Sequence, residues 1–419
     1  MMKFKVSQKK RCIRTGNWKR CGAMRFLLVA IAMTVSHAAA ETNPLQVFIL
    51  AGQSNMQGHA HIDTMDAMAY APETAAILKE IRDGKGEPRV CENVWITSIG
   101  SSEEEKIGKL SVGYGAEPRG PKIGPEYTFG LYMQKLMPDQ PILIIKTSWG
   151  GKSLNTDFRP PSAPPYEFNE AQLEGFAKQK KDISVIKAEK VKATGHYYQL
   201  MMEHVNGVLA DPSRVYPDYD TKAGHELAGF VWFQGWNDMV DRGTYPNRDQ
   251  PGGYDHYSDL LAKFIRDVRK DLSVPKLPFV IGAIGVNGET SLYGPDQKRY
   301  QGVHQNIRDA MAAPASMPEF KGNVSAVLTE KFWDYEVTSL RKREKPIKEE
   351  EKRLREAGKL SRGEQRAALD KLYAETFNER ELDILRNSVS NAEYHYLGSA
   401  RIMTRIGKGF AEAMVELTK

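Results

Sequence analysis

Six short apolar runs rich in β-branched and aromatic residues recur along the chain, at residues 46–50, 93–99, 142–146, 229–233, 279–284 and 324–328. Longer stretches with helical spacing separate them, at about 125–137, 196–209, 257–272 and 299–312, and a last one at 398–417 closes the chain. Runs without polar alternation suit strands buried on both faces, and connections long enough for a helix suit parallel pairing. The pattern predicts an α/β fold in which helices cover both faces of a parallel sheet.

Three regions interrupt the alternation. Residues 100–124 are glycine-rich and 157–168 contain Pro160-Pro161 and Pro164-Pro165, so both are expected as ordered loops of the kind that border binding sites. Residues 340–382 are dominated by Lys, Arg and Glu, with leucines at Leu354, Leu360, Leu369 and Leu372, and are expected as a charged helical insertion at the surface. A solvated excursion and a dimerisation arm are its two readings, and the sequence leaves the oligomeric state open.

Residues 1–40 stand apart. Nine cations precede the apolar run 26–35, which ends in Ala38-Ala39-Ala40, the three parts of a signal peptide. The run is half the ~20 residues a membrane span requires. The mature part, 41–419, is therefore expected as one exported domain, periplasmic or extracellular, with no membrane association. Removing the leader takes nine of the 59 cations and none of the 53 acids, leaving 50 against 53 and a net charge of −3. The basic footprint that nucleic-acid binding needs is thereby lost. Of three cysteines only Cys91 remains, which excludes an intrachain disulfide and a cysteine-rich zinc site.

The first run leads directly into Ala51-Gly52-Gln53-Ser54-Asn55-Met56-Gln57-Gly58. This puts a serine at the carboxyl end of a strand, the edge where open α/β sheets bind ligands. Glycines on both sides allow a tight turn and leave backbone amides free to face an oxyanion. A helix N-cap would account for Ser54 alone. A nucleophilic serine needs a base, and His395, just before the closing helix, is the histidine the topology can return to this edge. His59, His61 and Asp63 lie close to Ser54 in sequence, as pocket lining, as a metal pair or as a short polar turn. Gly124-Pro125-Glu126 reads as a helix start with an acid in its first turn.

Gly52-Gln53-Ser54-Asn55-Met56, then Trp232-Phe233-Gln234-Gly235, then a late histidine, resemble in order the carbohydrate esterase family 6 and sialate O-acetylesterase group of the SGNH hydrolases. The resemblance covers about residues 44–335 and 385–417. It implies a three-layer, flavodoxin-like SGNH fold and a cofactor-free, metal-independent O-acetylesterase acting on acetylated carbohydrate. It implies Ser54 as nucleophile, His395 as general base, and oxyanion donors from the Ser54 amide, the Gly151 amide and the Gln234 side chain.

The third triad member departs from the family pattern. The position three before the histidine is Ala392, and the position after Gln-Gly is Trp236. Asp238 is the first candidate, Glu393 the second, and a Ser-His dyad the third. Gln53, Asn55, Trp149 and Trp236 are the expected substrate contacts, with Tyr254 and Trp333 as further aromatic candidates, because sugars offer C–H faces and hydroxyls together. A non-catalytic carbohydrate-binding protein and a lipase or thioesterase of the same superfamily are the alternatives.

Overall fold

All eight residues of the strand Leu45–Gly52 are buried. It is the central strand of the sheet. The computed structural model describes residues 43–102 and 104–419; the expected leader lies outside the described residues. The first half runs β1 (Leu45–Gly52), α1 (Ser54–Gln57), β2 (Ala60–His61), α2 (Pro72–Ile81), β3 (Val94–Gly100), β4 (Lys106–Lys109), β5 (Lys122–Ile123), α3 (Pro125–Leu136), β6 (Ile142–Ser148), α4 (Glu170–Lys178), α5 (Ile183–Ala193) and α6 (His196–Ala210). The second runs β7 (His225–Phe233), α7 (Trp236–Val240), α8 (Asp255–Asp271), β8 (Phe279–Ala283), α9 (Gln301–Ala312), β9 (Val324–Leu328), α10 (Tyr335–Ala357), α11 (Arg362–Thr376), α12 (Glu379–Asn387) and α13 (Ala400–Thr418).

The main sheet has the order β4-β3-β6-β1-β7-β8-β9. Every neighbouring pair is parallel except β3 with the edge strand β4. From β1 the chain moves out to β3, returns to β6 on one side of β1, and crosses to β7 on the other. That makes the carboxyl end of β1 the topological switch point, where ligands bind in such sheets.

Side-chain alternation along β7 assigns the layers. Phe230 and Trp232 turn to one face, with ring centroids 6.0 and 4.4 Å from Phe264 of α8. Phe233 turns to the other, 5.3 Å from Phe410 of α13. Tyr198 of α6 joins Phe264 at 5.6 Å, and Phe129 of α3 meets Phe48 of β1 at 5.5 Å. Since α13 also packs along α3, helices sandwich the sheet from both sides.

The six expected strands and five expected helices are all present. The glycine-rich region expected as loop contributes β4 and β5, and α2, α4 and α5 are additional helices. Neither α4 nor α5 has a buried residue, so the apolar periodicity that reveals a helix in sequence is weak there. Residues 157–168 are irregular, and the charged stretch forms α10 and α11, which pack on each other. Among the described residues no helix is long and apolar enough to cross a membrane.

Candidate active site

Register brings three segments to one edge. Gly52 lies opposite Ser148 of β6 and Phe233 of β7. The residues that follow are therefore neighbours: Gln53-Ser54, Trp149-Gly150-Gly151 and Gln234-Gly235. The turn out of β1 needs glycine for close approach, since a Cβ at Gly52 would sit 2.2 Å from the Phe233 carbonyl oxygen. At the other end of α1, Gly58 has φ +89°, and a Cβ there would lie 2.1 Å from the Gly124 Cα.

Ser54, the first residue of α1, is partly exposed, and its hydroxyl has no hydrogen-bond partner among the described residues. Its N–H belongs to the first helical turn and is likewise unspent. Gly150 is the glycine beside it: a Cβ at Gly150 would stand 3.9 Å from the Ser54 Cβ and 3.6 Å from the Ser101 Oγ. The Gly150 N–H is already given to that Ser101 Oγ, at 3.0 Å. The next amide, of Gly151 at φ +74°, has no acceptor among the described residues.

The amides around Ser54 are interlocked. Gln53 Oε1 faces the N–H groups of Gly235 at 3.5 Å and Asn237 at 3.4 Å. Those groups can only donate, so the Gln53 orientation is fixed and its Nε2 is left buried without an acceptor. Gln234 Nε2 faces three acceptors: Asp238 Oδ2 at 2.7 Å, the Lys152 carbonyl at 3.0 Å and Gln53 Oε1 at 3.2 Å. With only two hydrogens it has none left for an oxyanion. Gln234 is a brace in this structure and not the expected oxyanion donor.

Asp238 also departs from its expected role. It is fully buried and accepts from the backbone amides of Leu154 (2.8 Å) and Asn155 (3.0 Å), from Gln234, and from the Tyr245 hydroxyl at 3.2 Å. Burial pushes its carboxyl up to about 6 while those donors pull it back. None of its bonds goes to His395; Asp238 ties the loop after Gly151 to α7. Glu393, the second candidate, is ion-paired with Arg341 at 2.8 Å and makes no hydrogen bond to His395 either.

The partner of His395 is Asn391. His395 Nδ1 lies 3.0 Å from Asn391 Oδ1, and the same oxygen accepts the Ala392 N–H at 2.8 Å. A backbone N–H can only donate, so that atom is the amide oxygen and His395 Nδ1 carries the proton. Nε2 keeps its lone pair, the form a general base requires. Burial lowers the His395 pKa to about 4, so the ring is neutral at neutral pH. The turn that follows is strained, with Tyr396 at φ +52° and Leu397 at φ +62°. It is held by the Tyr396 hydroxyl, which accepts the Gly285 N–H at 2.7 Å and bonds Thr329 Oγ1 at 2.6 Å. Helix α1 packs against this turn.

Below the site lies a fully buried ion pair. Lys146 Nζ is 2.7 Å from Glu126 Oε2 and donates to the carbonyls of Gln57 and Tyr114, each at 2.9 Å. Glu126 therefore does more than start α3: through Lys146 it anchors the end of α1.

Two clefts adjoin the centre. One of about 540 Å³ is lined by Ser101, Trp149, Lys152 and Tyr197, next to Ser54. Another of about 400 Å³ is lined by Trp236, Tyr300, Val303 and Tyr394, next to His395. Trp236 packs against Tyr394 with ring centroids 5.6 Å apart and planes tilted by 37°, and Tyr394 meets the His395 ring at 4.4 Å. Asn55 is buried with its Oδ1 unpartnered. Tyr254 and Trp333 are core residues, their polar tips satisfied by the Met239 carbonyl and Thr338 Oγ1. His61 and Asp63 form a polar turn, and among the described residues no group of three metal-ligating side chains occurs.

Ser54, His395 and the glycine pair are the residues the sequence singles out; Asn391, which no motif marks, is brought onto His395 by the loop geometry of the Ala392 N–H. Ser101 is likewise marked by no motif.

Residues 44–319 match the family model described as carbohydrate esterase, sialic acid-specific acetylesterase. The match contains Ser54, Gly151, Gln234 and Asp238, and ends before Asn391 and His395. No curated protein matches. Among solved structures, a protein from Arabidopsis thaliana is 16% identical at a TM-score of 0.36, covering 68% of this chain and 86% of that one. A carbohydrate acetylesterase from Xanthomonas citri is 14% identical at 0.36, covering 69% of this chain and 51% of that one, so this chain spans about half its length. NanS is 12% identical at 0.35, covering 68% of this chain and 78% of that one. The chain belongs to the family of carbohydrate esterases described as sialic acid-specific acetylesterases.

Proposed function

We propose that the protein is a serine esterase that removes O-acetyl groups from carbohydrate, a sialate or an acetylated polysaccharide, through an acetyl-Ser54 intermediate. The observation that carries this reading is an unpartnered serine hydroxyl at the switch point, next to a turn that holds an imidazole as its Nδ1–H tautomer. Ser54 Oγ attacks the acetyl carbonyl carbon while its proton passes to His395 Nε2. The negative charge on the former carbonyl oxygen meets the N–H groups of Ser54 and Gly151; each such donor is worth on the order of 3 kcal/mol of barrier. Collapse expels the sugar hydroxyl, which takes the proton from His395. Water then attacks the acetyl-enzyme with His395 again as base, releasing acetate and restoring Ser54.

Asn391 does the orienting work of the missing acid: it fixes the tautomer but brings no charge to the imidazolium. Trp149 and Trp236 supply aromatic walls for the sugar, and Asn55 Oδ1 an acceptor for a hydroxyl. Export by the leader of residues 1–40 belongs to the same reading.

Acetate release from a panel of natively O-acetylated glycans tests the substrate class, with the Ser54→Ala protein as control. Release from at least one glycan, lost in Ser54→Ala, is expected. The neutral Asn391 in place of an acid favours the second reading, a carbohydrate-binding protein without turnover; glycan retention with no acetate release would establish it. Preference for long acyl chains over acetyl would instead point to a lipase or thioesterase.

A further inference from the structure

The proposed mechanism leaves unused His59, a half-buried histidine beside the base. Its ring lies flat on that of His395, with centroids 3.7 Å apart and planes 2° from parallel. Both rings are tied to one side chain: Asn391 Oδ1 takes the His395 Nδ1–H, and Asn391 Nδ2 is 3.4 Å from His59 Nδ1. The Ala392 N–H has already fixed which end of the amide is which. His59 Nδ1 must therefore accept, and its proton sits on Nε2, which is buried without a partner.

Resting on the esterase reading, we infer that His59 is a positioning residue: its ring, laid face to face on His395 and anchored to the same Asn391, fixes the plane of the base and excludes water from one of its faces. A tyrosine at 4.4 Å meets the same imidazole at a steep angle, 66° between planes, so the base is held between Tyr394 and His59. The role requires His59 to stay uncharged beside a histidine that gains a proton in turnover. Burial does this first, helped by repulsion from His395, Lys122 and Lys146, which bring its pKa to about 3. Glu393, two positions before His395 in the chain, is ion-paired with Arg341 at 2.8 Å.

The test uses full-length His59→Leu, which removes the ring, and His59→Phe, which restores a flat ring without the nitrogen. NMR titration of His395 in a Ser54→Ala background reads the contact without turnover, and kcat and KM on p-nitrophenyl acetate read its consequence. In His59→Leu the His395 pKa is expected to rise by about one unit as water reaches the open face. kcat should fall roughly tenfold with KM little changed. His59→Phe is expected to keep the parent titration and recover most of kcat. Parent-like titration and kcat in His59→Leu would overturn the inference, and if that variant does not fold, a His59→Phe protein whose His395 titrates like a solvated histidine overturns it equally. Absence of Ser54-dependent turnover in the parent would sink the esterase reading alone, because the titration still decides whether His59 covers His395.

Discussion

Asn391 Oδ1 accepts the proton of His395 Nδ1 at 3.0 Å, in the place where hydrolases of this kind use a carboxylate. The neutral amide selects the tautomer as a carboxylate would, while an imidazolium formed there in the proposed mechanism would receive no opposite charge. Asn391→Ala should lower kcat by roughly 10²-fold or more with KM nearly unchanged, because an unheld ring spends time in the wrong tautomer and orientation. Asn391→Asp puts an anion against the same nitrogen, and the acid limb of the kcat/KM profile should move to higher pH. Steady-state kinetics across pH checks both.

The acid limb of the parent enzyme should lie low. Burial holds His395 near 4, so the base is already deprotonated at mildly acidic pH. kcat/KM should stay flat from neutral pH down to about 5 and fall only as pH approaches 4.

Stability should respond over a wider window. Burial also lowers His59 to about 3, and His204 and His304 to about 4. The unfolded chain takes up these protons near the ordinary histidine pKa of about 6.5. Between that pH and about 4 it binds more protons than the folded chain. The stability contributed by the neutral rings is therefore complete above about 6.5 and is lost progressively below it. Thermal denaturation at a series of pH values should show Tm falling through this range.

Asp238 is expected to matter for the loop and not for the base. Asp238→Asn would set a donor against groups that all donate to the carboxylate: the amides of Leu154 and Asn155, Gln234 Nε2 and the Tyr245 hydroxyl. A cost of about 2–4 kcal/mol is expected in denaturant unfolding. kcat should fall as the segment after Gly151 loosens, while the acid limb of kcat/KM keeps its position.

Gly150→Ala probes the space beside the nucleophile. The added methyl meets only ordinary contacts, 3.6 Å from the Ser101 Oγ and 3.9 Å from the Ser54 Cβ, so Tm should change little. In the proposed mechanism it fills room that the acyl group would need, and kcat/KM for acetyl esters should drop at least tenfold.

The sheet was readable because its strands are short, apolar and buried on both faces, as β1 and β6 are along their whole length. Helices α4 and α5 escaped notice because they bury nothing and so leave no apolar stripe. At the candidate site, motif and order single out Ser54 and His395 as expectations. The partner of His395 could not be read in this way, since side chains 4 and 157 residues before it compete for that part, and only three-dimensional placement shows Asn391 on His395 and Asp238 on Leu154. Gln234 misled for a related reason: a glutamine at a strand end suits an oxyanion hole, but three acceptors already compete for its two hydrogens.

The central claim is that Ser54 carries the acyl group. Rapid quenching of the protein with p-nitrophenyl acetate, followed by peptide mass spectrometry, tests it most directly. The mechanism predicts a single added acetyl group on the peptide containing Ser54, accumulating with the burst of p-nitrophenol and absent from Ser54→Ala. Steady turnover by Ser54→Ala at the parent rate, or acetyl found on another residue as the competent intermediate, would contradict it.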